Sequence, residues 1–154
     1  MAITLKEGDI APAFVAIDQN GTTHTLEQYK GQKVVLYFYP KDDTPGCTAE
    51  ACNLRDNYSE LQARGLIILG VSPDDTASHE QFVAKYNLPF PLLADTDKTI
   101  LTAYGAWGEK NMYGKIVEGV LRSTFVIGED GALIKVIKRV DTKEHTAQII
   151  KALS

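Results

Sequence analysis

Cysteine is scarce in this chain: 154 residues hold two, Cys47 and Cys52, and no Cys-x-x-Cys pair. A framework of structural disulfides is therefore excluded, and a core must hold the fold together. Basic clusters are missing as well. The formal net charge is -4, without a Lys/Arg block, which excludes the electrostatic footprint of a nucleic-acid binder. No stretch approaches about 18 consecutive apolar residues, so no membrane-spanning helix is expected. The first eight residues lack the charged-then-apolar pattern of a secretory leader, which points to a cytoplasmic protein. Histidine is limited to His24, His79 and His145, without ligand spacing, so no metal centre is expected and each is read as solvated. Neither an internal repeat nor a linker divides the chain. With 44% hydrophobic residues, it suits one compact domain over residues 1–154.

The informative stretch is Pro40-Lys-Asp-Asp-Thr-Pro-Gly-Cys-Thr-Ala-Glu-Ala-Cys52. Before it, residues 33–39 form a dense β-branched and aromatic run without alternation, the pattern of a central strand buried on both faces. After it, Cys47, Ala51, Leu54, Tyr58 and Leu61 recur at spacings of four, three, four and three, one stripe of a helix that ends near Gly65. Residues 66–71 give a second buried strand, and a strand-helix-strand unit of this kind closes as a parallel crossover. This is an α/β pattern.

Around that unit, residues 13–17 and 22–25 read as an N-terminal β-hairpin across Asn20-Gly21. Residues 76–86 form a helix with Phe82, Val83 and Tyr86 inward. Residues 90–95 form a short strand whose prolines favour a sheet edge or a strand end. A short helix spans 98–104, and a Gly-rich loop carrying Trp107 spans 106–118. Residues 123–127 and 132–137 read as a second hairpin, and residues 141–153 as a closing helix with Ala147, Ile150 and Leu153 inward.

Thr44 suits a helix N-cap and Pro45 the first helical position, which makes Cys47 the third helical residue. Unpaired N–H groups and the positive end of the helix dipole favour a thiolate there. Asp42, Asp43 and Glu50 oppose it unless they point elsewhere, and Arg122, just before a strand, is the candidate cation. Five helical residues separate the two cysteines by roughly 8 to 9 Å between Cα atoms. A disulfide requires less than about 7 Å, so bonding demands that the helix unwind. Three readings fit such a pair: a thiol enzyme that cycles through a disulfide, a thioredoxin-type oxidoreductase with unusual spacing, or a redox-regulated interaction protein.

Pro40-x-x-x-Thr44-x-x-Cys47 resembles the peroxiredoxin active-site signature. Its extension through Cys52-Asn53-Leu54-Arg55-Asp56, with Gly105-x-Trp107-Gly108-Glu109-Lys110 and Arg122-Ser123-Thr124-Phe125-Val126-Ile127, is similar to the bacterioferritin comigratory protein, or peroxiredoxin Q, subgroup. The resemblance implies a thioredoxin-like fold, a central mixed sheet flanked by helices. It also implies a peroxidase that reduces hydrogen peroxide and organic hydroperoxides without metal, haem or other cofactor. By the same resemblance Cys47 is the peroxidatic and Cys52 the resolving cysteine, Thr44 and Arg122 hold the peroxide and thiolate, and Pro40 shields the pocket. Thioredoxin, or glutaredoxin, is the implied reductant, and a monomer the implied state. The Gly-Gly-Leu-Gly loop and C-terminal Tyr-Phe of overoxidation-sensitive peroxiredoxins are missing, which implies resistance to sulfinic acid formation.

Overall fold

The computed structural model describes residues 3–154; Met1 and Ala2, part of the stretch read for a leader, lie outside them. Among the described residues the chain forms nine strands and five α-helices. Strands β1 (Val15–Ile17), β2 (Thr23–Thr25), β3 (Lys33–Phe38), β4 (Leu66–Ser72), β5 (Leu92–Ala94), β8 (Ser123–Ile127) and β9 (Leu133–Ile137) form one sheet, ordered β2-β1-β5-β4-β3-β8-β9. β3, β4 and β5 run parallel and the other pairings are antiparallel, so the sheet is mixed. Helices are α1 (Pro45–Asp56), α2 (Tyr58–Ala63), α3 (Thr76–Tyr86), α4 (Thr99–Ala103) and α5 (His145–Ala152).

β3 is central, as its unbroken apolar run requires. Val34, Leu36 and Phe38 enter one core with Phe125, Leu101 and Tyr104, while Val35, Tyr37 and Tyr39 enter the other with Cys47, Leu54 and Ile149. Both faces of the strand are therefore covered, and alternation has no solvent side to mark. Tyr37 lies opposite Gly70 of β4. A Cβ at Gly70 would come within 2.9 Å of the Tyr37 ring and 2.8 Å of Leu92, so glycine makes room for the tyrosine beneath α1.

The structure departs from the sequence reading at several places. The expected continuous helix breaks at Asn57, whose backbone sits at φ −115°, ψ 17°. The Asn53 carbonyl there accepts from Asn57 Nδ2 at 2.8 Å and from Thr146 Oγ1 at 3.3 Å, side-chain bonds that compete with the helical ladder. The Cys47-to-Leu61 stripe still faces one core, with Tyr58 partly buried at its edge. Of the two placements expected for β5 the strand end holds and the edge does not: the strand lies inside the sheet, and Pro91 precedes its first residue, so no ladder N–H is missing.

The stretch read as a loop is a hairpin, β6 (Trp107–Met112) with β7 (Lys115–Val120). Its two-residue turn, Tyr113 at φ 55° and Gly114 at φ 82°, has both central residues left-handed, the arrangement that suits the twist of two paired strands. Trp107 packs against the core on the α4 side, with Lys98 Nζ 5.0 Å from its ring centroid. The last helix starts at His145, later than expected, and buries His145, Thr146 and Ile149 while Ala147 is exposed. No helix among the described residues is long and apolar enough to cross a membrane.

Candidate active site

Strand register builds this site. β3 and β8 are antiparallel with Phe38 opposite Ser123, so the residue before β8, Arg122, stands beside the end of β3. The chain turns there through Pro40 into α1, which begins at Pro45 behind an extended Thr44 (φ −102°, ψ 157°). That is N-cap backbone geometry, but the side chain does not cap. Thr44 Oγ1 donates instead to the Lys41 carbonyl at 2.9 Å. Cys47 follows on the inward face of α1, 1% exposed.

Arg122 closes over it. Nη2 donates to Cys47 Sγ at 3.3 Å and Nη1 donates to Glu50 Oε1 at 2.6 Å. Cys47 and Glu50 are three residues apart and share a helix face, so one guanidinium fork reaches both. Gly46 permits the approach, since a Cβ there would lie 3.3 Å from Arg122 Nη2. Of the five residues singled out from the sequence, Pro40, Thr44, Cys47 and Arg122 thus converge on the start of α1. Cys52 stays apart, half-buried and farther along an unbroken helix, and both thiols are free. Burial pushes the Cys52 thiol up, with Arg55 pulling it back.

The three acids expected to oppose a thiolate are all paired, two of them away from the sulfur. Asp42 turns to α3, accepting from Ser78 Oγ at 2.8 Å, and Asp43 accepts from Lys85 Nζ at 2.7 Å and the Tyr86 hydroxyl at 2.8 Å. Glu50 holds the cation itself. Its role was missed because a lone helical Glu usually faces solvent; the signal was its i+3 placement after Cys47 on an apolar stripe.

The histidines overturn their expected exposure. His24 is buried between Asp18 Oδ2 at 2.7 Å and the Tyr29 hydroxyl at 2.6 Å. His79 is fully buried against Asp42. His145 is fully buried behind Glu50, with Nδ1 2.9 Å from Gln148 Oε1 and Nε2 2.8 Å from Thr124 Oγ1. Gln148 Nε2 donates to the Arg139 carbonyl, which leaves Oε1 as acceptor and puts the His145 hydrogen on Nδ1. Nε2 therefore takes the Thr124 hydroxyl hydrogen. Glu50 Oε2, 3.5 Å away, is one of two buried side-chain atoms without a hydrogen-bond partner among the described residues; the Tyr37 hydroxyl is the other.

Burial pushes the Glu50 carboxyl up to about 7, although Arg122 pulls it back. Burial pushes His145 down to about 4, opposed by its bond to Gln148 and reinforced by the Arg122 charge. The two groups shape stability oppositely. The His145 contribution is full above its unfolded value of 6.5 and is lost as pH falls toward 4; that of Glu50 is full below 4.5 and is lost as pH rises through 7. Relative to a His145→Gln variant, the wild type should lose on the order of 3 kcal/mol between pH 6.5 and 4. Urea unfolding across that range measures it, and a pH-independent difference would contradict the assignment.

Comparison with known proteins agrees with this geometry. The AhpC/TSA family pattern matches residues 8–136. A Coxiella burnetii protein named putative peroxiredoxin bcp is 44% identical over 151 residues, covering 98% of this chain and 100% of that protein. Bacillus subtilis peroxiredoxin Bcp is 42% identical over 151 residues, covering 98% and 96%. Among solved structures, Xanthomonas campestris peroxiredoxin Q superposes with a TM-score of 0.85 at 39% identity over 91% of this chain and 89% of that one. Xylella fastidiosa peroxiredoxin Q gives a TM-score of 0.91 at 32% identity over 99% and 97%. With a thioredoxin-like sheet, the full Pro-Thr-Cys signature and relatives matched end to end, the chain belongs to the AhpC/TSA family, in its Bcp or peroxiredoxin Q branch.

Proposed function

We propose that this peroxiredoxin, a thiol-dependent peroxidase by family, uses Cys47 as the attacking thiol and Cys52 as the thiol that resolves it. The observation that supports this most is the Arg122 guanidinium bonded at once to Cys47 Sγ and to buried Glu50. It fixes a cation on the sulfur in a site largely closed to water, where charge stabilisation is strongest.

In the first step the Cys47 thiolate attacks the terminal oxygen of a hydroperoxide. The S–O bond forms, the O–O bond breaks, and the leaving oxygen takes a proton to depart as alcohol or water, which leaves Cys47 as sulfenic acid. Arg122 stabilises negative charge as it moves from sulfur to the departing oxygen. Thr44 Oγ1 has its hydrogen committed to Lys41 O, so its lone pairs accept the hydrogen of the peroxide. Pro40, half-buried at the end of β3, shields the pocket. One X. campestris relative is described with alkyl peroxide reduction activity, which supports organic hydroperoxides as substrates beside hydrogen peroxide.

In the second step the Cys52 sulfur displaces water from the sulfenic acid and forms an intramolecular disulfide. Its raised thiol keeps Cys52 protonated and out of the first step. Because α1 holds the two cysteines apart, its first turns unwind. Asn53 limits that opening: its Oδ1 accepts from Thr146 N at 2.8 Å and its Nδ2 donates to Lys143 O at 2.9 Å, pinning α1 to the start of α5 and the turn before it, just beyond Cys52. An external dithiol, thioredoxin or glutaredoxin, returns two electrons. The working unit is one domain acting as a monomer in the cytoplasm. In a thioredoxin-coupled peroxide assay, Cys52→Ser should oxidise once and then stall; sustained turnover at the wild-type rate would assign resolution elsewhere.

A further inference from the structure

The backbone of Asp43 is left-handed, at φ 57°. Aspartate visits that region more readily than most residues, but any side chain with a Cβ bears a steric cost there that glycine does not. Asp43 also stands between two differently held parts of the chain. Before it, Asp42 is fixed: its carboxylate oxygens accept from the Tyr39 hydroxyl and Ser78 Oγ, and its N–H donates to Asp74 Oδ2. After it, Thr44 and Pro45 open α1, the helix whose first turns must unwind for the two cysteines to meet. Between a fixed residue and a segment that moves, Asp43 has the place of a hinge.

The groups that hold Asp43 come from the last turn of α3. Lys85 Nζ donates to its Oδ2 at 2.7 Å and the Tyr86 hydroxyl donates to its Oδ1 at 2.8 Å, so both oxygens are engaged. The Tyr86 ring is itself set by packing, edge-on to the buried Phe82 ring at 5.5 Å between centroids. The Tyr86 carbonyl accepts from Arg55 Nη1 at 2.7 Å, in the last turn of α1. One residue of α3 therefore bonds to the chain on both sides of the cysteines, at Asp43 and at Arg55.

We propose that Lys85 and Tyr86 hold Asp43 as a strained hinge, and that its release lets residue 43 leave the left-handed region and tips α1 toward the unwound form in which Cys52 reaches Cys47. Asp43, Lys85 and Tyr86 are positioning residues: they touch none of the reacting atoms and set how often α1 opens. This rests on the resolving role given to Cys52 above. Asp42 keeps its own bonds in both forms, so the loop before the hinge stays in place and only the chain after it moves. The Asp43–Lys85 pair is exposed and weak alone, so the effect is a shifted balance between two forms of α1 and not a loss of the fold.

Position 43 separates a strained hinge from a plain tether. Asp43→Ala and Asp43→Gly both lose the two bonds, and only alanine keeps the cost of the left-handed backbone. A tether alone would leave glycine at least as open as alanine, because glycine gains more freedom on opening. Asp43 is exposed, so neither substitution disturbs the core. Hydrogen exchange of the reduced, full-length protein reads the opening without peroxide, from the amides of residues 48–52 relative to those of β4. Protection in Asp43→Ala should be about tenfold or more below wild type, and about threefold or more below Asp43→Gly. Lys85→Met combined with Tyr86→Phe, which leaves Asp43 in place, should lose about fivefold. After one equivalent of hydrogen peroxide, conversion of the Cys47 sulfenic acid to the disulfide should be faster in Asp43→Ala than in Asp43→Gly, and faster in both than in wild type. Glycine as open as alanine, or an equal loss of protection in β4, would overturn the hinge. If no variant, and not wild type either, forms a disulfide, the resolving role of Cys52 falls, and the exchange order of alanine and glycine still decides the hinge.

Discussion

Serine at Cys47 is expected to leave a folded protein whose peroxide consumption does not exceed the uncatalysed background. The slot is almost completely buried and tightly packed, and serine fits it with a small volume change, so the fold should persist. Chemistry does not survive the exchange. A serine hydroxyl stays protonated near neutral pH without an adjacent general base, and the one close histidine points its Nε2 at Thr124 instead. Stopped-flow peroxide consumption with a dithiol in excess measures the effect. Retention of the wild-type rate would remove Cys47 from the reaction.

Arg122→Ala should lower the rate of peroxide attack by about 10²–10³, the usual cost of removing one preorganised donor from a site of charge development. It should also destabilise the protein, because it strands Glu50 Oε1 at a position with no solvent exposure. Breaking a buried ion pair costs roughly 3–5 kcal/mol when the orphan stays charged. Glu50 avoids part of that by taking a proton, which its burial already favours. The loss should therefore grow as pH rises. Adding Glu50→Gln to Arg122→Ala should recover stability at alkaline pH while activity stays low. If the double variant regained activity, Arg122 would be a scaffold for Glu50 rather than a partner of Cys47.

What could be read from sequence follows from how local each interaction is. The β3 run and the Cys47-to-Leu61 stripe are periodic signals carried by local sequence, and both face the core as read, although the stripe is divided between α1 and α2. The histidines are buried rather than solvated, and the same periodicity places two of them on inward faces. His79 lies three residues before Phe82 and seven before Tyr86, on the face already read as inward, and His24 alternates with the outward Thr23. Residue polarity outweighed the period because the partners are remote: Asp42 is 37 residues from His79. The β6–β7 hairpin was hidden by its glycines and charges, which are as typical of a loop as of a strand pair exposed on its surface. Convergence of Arg122 on Cys47, 75 residues apart, needed the antiparallel β3–β8 register, which no local pattern encodes.

The account depends above all on α1 serving as both site and barrier, and one measurement tests both parts. Wild-type protein is treated with one equivalent of hydrogen peroxide without reductant, then analysed by peptide mass spectrometry and by hydrogen exchange over residues 45–56. The expected result is a Cys47–Cys52 disulfide with protection lost along α1 through Asp56, because the amides of residues 53–56 bond the carbonyls of residues 49–52 in the intact helix. A disulfide formed with α1 fully protected, or oxidation that leaves Cys47 a free thiol, would contradict it.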